Sequence, residues 1–243
     1  IAQAAATVAS MMPGRFVLGV GTGENLNEHI TGEGWPEVDT RLEMLAEAVD
    51  IIRTLWSGEN ESYHGTYFTV ENMTMYTLPE ELPPIVIAAS GTKAARLAGA
   101  AGDGLCSTAP QREIVEAFEE SGVERKPRYG QVTVSWGADR EAAVQTALEW
   151  WPNAGIPGVS AELPLPEHFE ALAKLVTADS IQQEIACGPD PEPSITQARA
   201  YIEAGFDHVY FHQVGPDQEG FLRFFERELG PALRDQAVGA AAG

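Results

Sequence analysis

The sequence predicts an α/β protein of parallel strands joined by helices, and three observations point there. Five short β-rich runs are spaced along the chain, at Phe16 to Gly21, Ile85 to Ser90, Gly104 to Thr108, Gln131 to Trp136 and His208 to Val214. Each is met by a longer run with helical periodicity, the alternation expected of parallel α/β architecture. With 243 residues, 44% of them hydrophobic, the chain is long enough for a substantial core in one large domain or two small ones.

The elements follow in order. "IAQAAATVASMM" reads as an Ala-rich helix with no basic start and no long apolar core, so it is neither a signal peptide nor a membrane span. Its first residue is Ile1 rather than a methionine, which leads us to expect that an N-terminal part is missing. "RLEMLAEAVDIIRTLW" places Leu42, Leu45, Val49, Ile52 and Trp56 on one face, with Arg41, Glu43, Glu47 and Arg53 off it. "ESYHGTYFTVENMTMYTLP" alternates aromatic and β-branched residues around His64-Gly65 and predicts an inserted β-hairpin. "TKAARLAGAAG", "QREIVEAFEESG" and "DREAAVQTALEWW" are helices after the second, third and fourth strands. "WPNAGIPGVSAELPLPEHF" is rich in Pro and Gly and predicts a long ordered loop of the kind that lids an active site. "SITQARAYIEAG" is a helix with Asp190 or Ser194 as its N-cap. A single domain is expected over 1–234, with a disordered tail over 235–243.

Five strand-helix units cannot close a (β/α)8 barrel, which needs eight in roughly 250 residues. The pattern therefore leaves two folds open: an open sheet, or the C-terminal part of a barrel lacking its first three strands.

The formal charge of -21, with lysine only at positions 93, 126 and 174, disfavours nucleic acid and anionic membrane as partners. It suits either an ordinary acidic cytosolic protein or one from a salt-rich cell. Cys106 and Cys187 each sit in an apolar run without a Cys or His at ligand spacing, so no metal site is expected and a reducing cytoplasm is. His208 and His212 are four apart, which on a strand is about 13 Å, too far to share a metal. His212 and Gln213 end the last strand, where side chains line a pocket. His29, His64 and His168 read as surface or loop residues, and Trp56, Trp150 and Trp151 as core.

The densest signal is "GRFVLGVGTGENLNEH". It fails the dinucleotide fingerprint G-x-G-x-x-G, because Glu24 or Leu26 stands where the last glycine is needed. It fails the P-loop because no Gly-Lys-Ser/Thr follows. What remains is a buried strand that ends in small residues and then presents Glu24, Asn25 and Asn27. Glycines at such an end let a flat ring lie against the backbone, and a carboxylate under the ring is partly desolvated and suited to general acid work. The competing reading is that Glu24 caps the following turn.

Together "MPGRFVLGVGTGENLNEH", "RLEMLAEAVDIIRTLWSG", "PPIVIAASGTKAARLAGAAGDGL" and "AGFDHVYFHQVGPDQEGFLRFFERELGPAL" resemble the luciferase-like monooxygenase superfamily. More closely they resemble its F420-dependent oxidoreductases, grouped with F420-dependent glucose-6-phosphate dehydrogenase. The resemblance covers the chain apart from its tail and implies a (β/α)8 TIM barrel entered at the helix before the fourth strand. It implies coenzyme F420 as cofactor (with FMN as the alternative), a small-molecule substrate, hydride transfer at the deazaflavin C5, and a homodimer. Glu24 would be the proton donor, Asn27 and the Gly21-Thr22-Gly23 turn would meet the cofactor, and Ala89, Ser90, Gly91 and Thr92 would meet its phosphate end. That last position agrees with the free amides at the start of "TKAARLAG", which attract an anion. Thr108, Gln111 and His212 would face substrate. The sugar-phosphate dehydrogenases have basic residues where this chain has Gln111, the region around Gln183, and Glu219 or Gly220, so glucose 6-phosphate is not the expected substrate. An FMN-dependent monooxygenase and a noncatalytic fragment are the other readings.

Overall fold

The computed structural model of the chain describes residues 1–32, 34–122, 125–156 and 158–234. In chain order the elements are α1 Ala2–Met11, β1 Leu18–Val20, α2 Asn25–Glu28, α3 Val38–Leu55, β2 Asn60–His64, β3 Thr69–Thr74, β4 Ile85–Ala88, α4 Thr92–Ala101, β5 Gly104–Ser107 and α5 Arg112–Ser121. They continue with β6 Arg128–Ser135, α6 Arg140–Trp150, α7 Pro166–Ala173, α8 Ala178–Glu184, β7 Ala186–Cys187, α9 Pro191–Ala204, β8 His208–Gln213 and α10 Gln218–Phe224. The expected tail, 235–243, lies outside the described residues. Contacts group the chain into two units, the first made of Ile1–Thr22, Trp35–Tyr129 and Gly205–His208, the second of Gly23–Gly34, Gly130–Ala204 and the chain from Val209 onward.

In the first unit β4 pairs in parallel with β1 on one side and β5 on the other, in the registers Leu18↔Ile85 and Val86↔Gly104. Ile85, Ile87 and Leu105 are wholly buried, as strands covered on both faces must be. Asp103 pins the base of this sheet: its Oδ2 accepts from the Ile85 N–H at 2.8 Å and from Arg53 at 2.9 Å. Small residues let helices approach closely. Gly99 of α4 faces α5 so tightly that a Cβ there would lie 2.3 Å from the Phe118 carbonyl oxygen. On α1 the alanines 2, 5, 6 and 9 are buried, and Trp56 donates its indole N–H to the Ala2 carbonyl at 3.1 Å.

The predicted hairpin is present as antiparallel β2 and β3. Its turn is held by a residue that the helical pattern had assigned to solvent: Glu47 of α3 accepts from the backbone N–H groups of Thr66, Tyr67 and Phe68. Arg128, at the start of β6, is nearly buried and pairs with Glu119 and with Asp207, whose Oδ1 also accepts from the Arg128 N–H at 2.8 Å. This anchor, invisible in periodicity, starts β6 three residues before the predicted Gln131.

In the second unit β6 pairs in parallel with β7, Val134 opposite Ala186 and Ser135 opposite Cys187, and β8 also pairs with β6. β7 was not expected, because two residues are too few to show a period. Its core packs Ala143, Val144 and Ala147 of α6 against Ile181, Ile185 and Cys187. Helices α7 and α8 occupy the chain after the Pro-rich loop. Residues 166–169, which had been read as the end of that loop, form the first turn of α7 with Pro166 at its first position. Thr177 and Ser180 close a reciprocal capping box on α8. Asp190, not Ser194, caps α9: its Oδ1 accepts from the Glu192 N–H, while Ser194 lies buried inside the helix. Trp150 is 54% exposed, so it is not a core residue as its spacing had suggested.

Candidate active site

The residues expected to meet cofactor and substrate fall in the segments that follow strands, except His212, which is within β8. In the first unit β1 runs out at Val20 and is followed by Gly21 and Thr22. A Cβ on Gly21 would stand 3.4 Å from the Ala88 Cβ, so glycine keeps the ends of β1 and β4 close. Ala89 is buried and its N–H donates to the Cys106 carbonyl at 2.8 Å, extending the ladder one residue past β4. The chain then turns outward through exposed Ser90 and extended Gly91 into α4. Gly91 is the N-cap of α4 and supplies no side chain to cap it, and a Cβ on it would meet nothing within 4 Å. The first turn of α4 thus has no capping side chain and an empty space beside its N-cap, an arrangement suited to an anion. Lys93, beside them, is paired with Asp39 at 2.6 Å and exposed. Thr108 follows β5 and is exposed, and Gln111 is the exposed N-cap of α5.

In the second unit Gly23 turns the chain with φ +77°, a conformation that costs an L side chain roughly 1–2 kcal/mol. Its missing side chain also makes room for Glu28, whose carboxylate would lie 2.4 Å from a Cβ there. Glu24 is the N-cap of α2 through its backbone only: its carbonyl accepts from the N–H groups of Asn27 and Glu28, and its carboxylate makes no capping bond. Glu24 thus does cap the turn, as the competing reading has it, but through its backbone alone, and its carboxylate is exposed. Asn27 is exposed on the same turn. Asn25 reaches instead to the Pro-rich loop, donating from Nδ2 to the Glu162 carbonyl at 2.9 Å.

His212 is half-buried in β8, with its ring 4.8 Å from that of Trp151 in an edge-on contact at 72°. Its Nδ1 is buried and has no hydrogen-bond partner. Gln213 does not line a pocket as expected: it is buried and clamps Trp136, accepting from its N–H at 2.8 Å and donating to its carbonyl at 3.0 Å. The packing role of Trp136 has no signal in the sequence. Trp136 stacks on Phe224 and lies over Gly220, where a Cβ would come within 2.5 Å of its ring. A tryptophan ending one strand run and a glycine in "DQEGF" were both visible, but nothing in either pattern says that they touch.

No group of three or more His, Cys, Asp or Glu side chains among the described residues is arranged to hold a metal, and no helix among them is long and apolar enough to cross a membrane.

Comparison with known proteins fits this arrangement. The model of the luciferase-like monooxygenase family matches residues 1–208. The F420-dependent glucose-6-phosphate dehydrogenase of Rhodococcus erythropolis is 37% identical over 248 aligned positions, covering 96% of this chain and 74% of that protein. The enzyme of the same name from Microbacterium testaceum is 36% identical, with 96% and 73% covered. Among solved structures, an F420-dependent secondary alcohol dehydrogenase in complex with an F420-acetone adduct superposes with a TM-score of 0.84 at 30% identity, over 96% of this chain and 74% of that one. The coenzyme F420-dependent tetrahydromethanopterin reductase of Methanopyrus kandleri shares the fold, with a TM-score of 0.71 at 18% identity over 96% of this chain and 78% of that one. With parallel strands and intervening helices that match the barrels of these proteins, the chain belongs to the luciferase-like monooxygenase family, in its F420-dependent oxidoreductase branch.

Proposed function

We propose that this chain serves an F420-dependent oxidoreductase that moves a hydride between the cofactor and a small neutral substrate, with Glu24 as the acid. The observation that carries the reading is the capping geometry of α2, where the Glu24 backbone does the work of the cap and the carboxylate stays exposed. Within the first unit, the start of α4 suits the phosphate end of the cofactor. Gly91 leaves space before the first amides of α4, where the backbone of Ala89, Ser90, Gly91 and Thr92 would hold the phosphate end. Gly21, Thr22 and Gly23 would form the floor beneath the ring, and Asn27 would hydrogen-bond to it. When bound, F420 supplies a ring carbon, C5, that accepts or donates hydride.

The protein's part is to position and to manage protons. Glu24 would hold a proton on a carboxylate oxygen and give it up as the charge changes beside it. Thr108, Gln111 and His212 would orient the substrate. A sugar phosphate needs charge-assisted donors, each worth about 1.5–3 kcal/mol. Gln111 offers only an amide, Glu219 is acidic and paired with Arg223, and Gly220 is pressed against Trp136 so that no arginine fits there without displacing the ring. A secondary alcohol or ketone, the class bound by the structurally similar dehydrogenase, meets no such requirement.

The test is to titrate the full chain separately with F420 and FMN, following fluorescence. F420 binding without FMN binding is expected, and the reverse preference would overturn the cofactor. In Glu24→Gln, hydride transfer from a secondary alcohol should fall by about 10²–10⁴, with F420 affinity little changed. Unchanged transfer would remove Glu24 from the reaction, and faster turnover of glucose 6-phosphate than of the alcohol would overturn the substrate class.

A further inference from the structure

Asn25 is a polar residue of "GENLNEH" that the functional reading leaves unused, and its side chain bonds the Glu24 turn to the Pro-rich loop. Its Nδ2 donates to the Glu162 carbonyl at 2.9 Å, across 137 residues of sequence. Glu162 ends a 3-10 turn, Ser160–Glu162, that follows Gly158 at φ +68°. On the other side, the Asn25 carbonyl is bonded to His29 Nδ1 at 2.6 Å, and the Thr31 hydroxyl donates to the Glu28 carbonyl at 2.8 Å. Helix α2 is a single turn of four residues, too short to be stable alone, so bonds from outside decide how it is held. Asn25 is its first residue, joined directly to Glu24 by a peptide bond, so what holds Asn25 also constrains the backbone that carries Glu24.

Resting on the reading of Glu24 as the acid, we infer that Asn25 is a positioning residue: its amide ties the 158–165 segment to the turn that carries Glu24, so that seating of the segment and orientation of the acid are coupled. Aspartate at this position keeps the size and shape of asparagine but has no N–H to give, and its negative charge faces a carbonyl oxygen. Asn25→Asp therefore removes this link with little change in volume. Asn25→Gln keeps the donor on a longer stem and should restore part of the coupling.

Hydrogen exchange on the full chain without cofactor reads the link directly. One hydrogen bond of ordinary net strength corresponds to about a three- to tenfold change. In Asn25→Asp, exchange should quicken by that factor in both 158–165 and 26–29, with α4 and α5 unchanged, and Asn25→Gln should fall between. Faster exchange in only one of the two segments, or in neither, overturns the inference. Steady-state kinetics then tests the consequence for the acid: Asn25→Asp should lower kcat by a similar factor and move its pH profile with KM little changed, and should add nothing in a Glu24→Gln background. Additive losses in the double variant overturn the coupling to Glu24. If Glu24→Gln alone retains full turnover, the acid assignment fails by itself, while the exchange data still decide whether Asn25 joins the two segments.

Discussion

Asp207 shows how a residue's neighbours set its charge. Burial favours its neutral form, but the Arg128 N–H, the His208 ring and the Arg128 guanidinium together outweigh this and hold its carboxyl below the usual aspartate value. A carboxylate with a depressed folded-state pKa contributes stability that is fully present above the unfolded value and is lost as pH falls through the folded one. Thermal melts of Asp207→Asn should therefore show a shallower loss of Tm than the parent below about pH 4. At neutral pH the variant should be less stable by about 3 kcal/mol, because Arg128, only 8% exposed, loses one of its two carboxylates. An unchanged acid slope would mean that the pair contributes nothing through linkage. Cys187 carries the opposite shift, its thiol pushed up to about 11 by burial against a smaller lowering by Arg140. At this scale Glu24 was legible because a carboxylate after three spaced glycines is unusual chemistry for a strand end. The part played by Gln213 was not, since a buried amide and a pocket amide look alike in sequence.

Among the elements, the hairpin depends on a helix for its turn. Glu47 accepts from three consecutive backbone N–H groups at 2.7–3.0 Å, and Tyr67 also donates its hydroxyl to Glu43 one turn earlier on α3. A two-stranded hairpin is marginal alone. Glu47→Ala should destabilise this element by about 1–3 kcal/mol, seen as lost exchange protection at residues 60–74, with Glu47→Gln losing less. Protection that survives in Glu47→Ala would show that strand pairing alone suffices. The hairpin strands were readable from alternation, and their anchor was not. A glutamate off the apolar face of a helix looks solvated until the chain returns to it. The same holds for Gly99, whose need for closeness comes from Phe118 on another helix.

For the molecule as a whole, the charge of -21 is the dominant long-range feature. Repulsion among carboxylates opposes compaction, and salt screens it over about 10 Å at 0.1 M. Raising sodium chloride from about 0.01 to 0.5 M should raise Tm, because the Debye length shrinks severalfold over that range. A Tm that falls with salt would mean that attractive pairs such as Arg53–Asp103 outweigh the net repulsion.

The sequence by itself determined the five strand runs and most of the helices beside them, the hairpin, the family, and the place of Glu24 shortly after the first strand. Each of these follows from local period or from residue identity at fixed spacing, which a linear chain carries in full. Only the tertiary structure decided that the Glu24 carboxylate is not spent as a cap, that Trp136 leaves room for nothing larger than glycine at 220, and that Asn25 reaches Glu162. Those depend on which distant segments meet, and burial and hydrogen-bond geometry are properties of the meeting rather than of either segment.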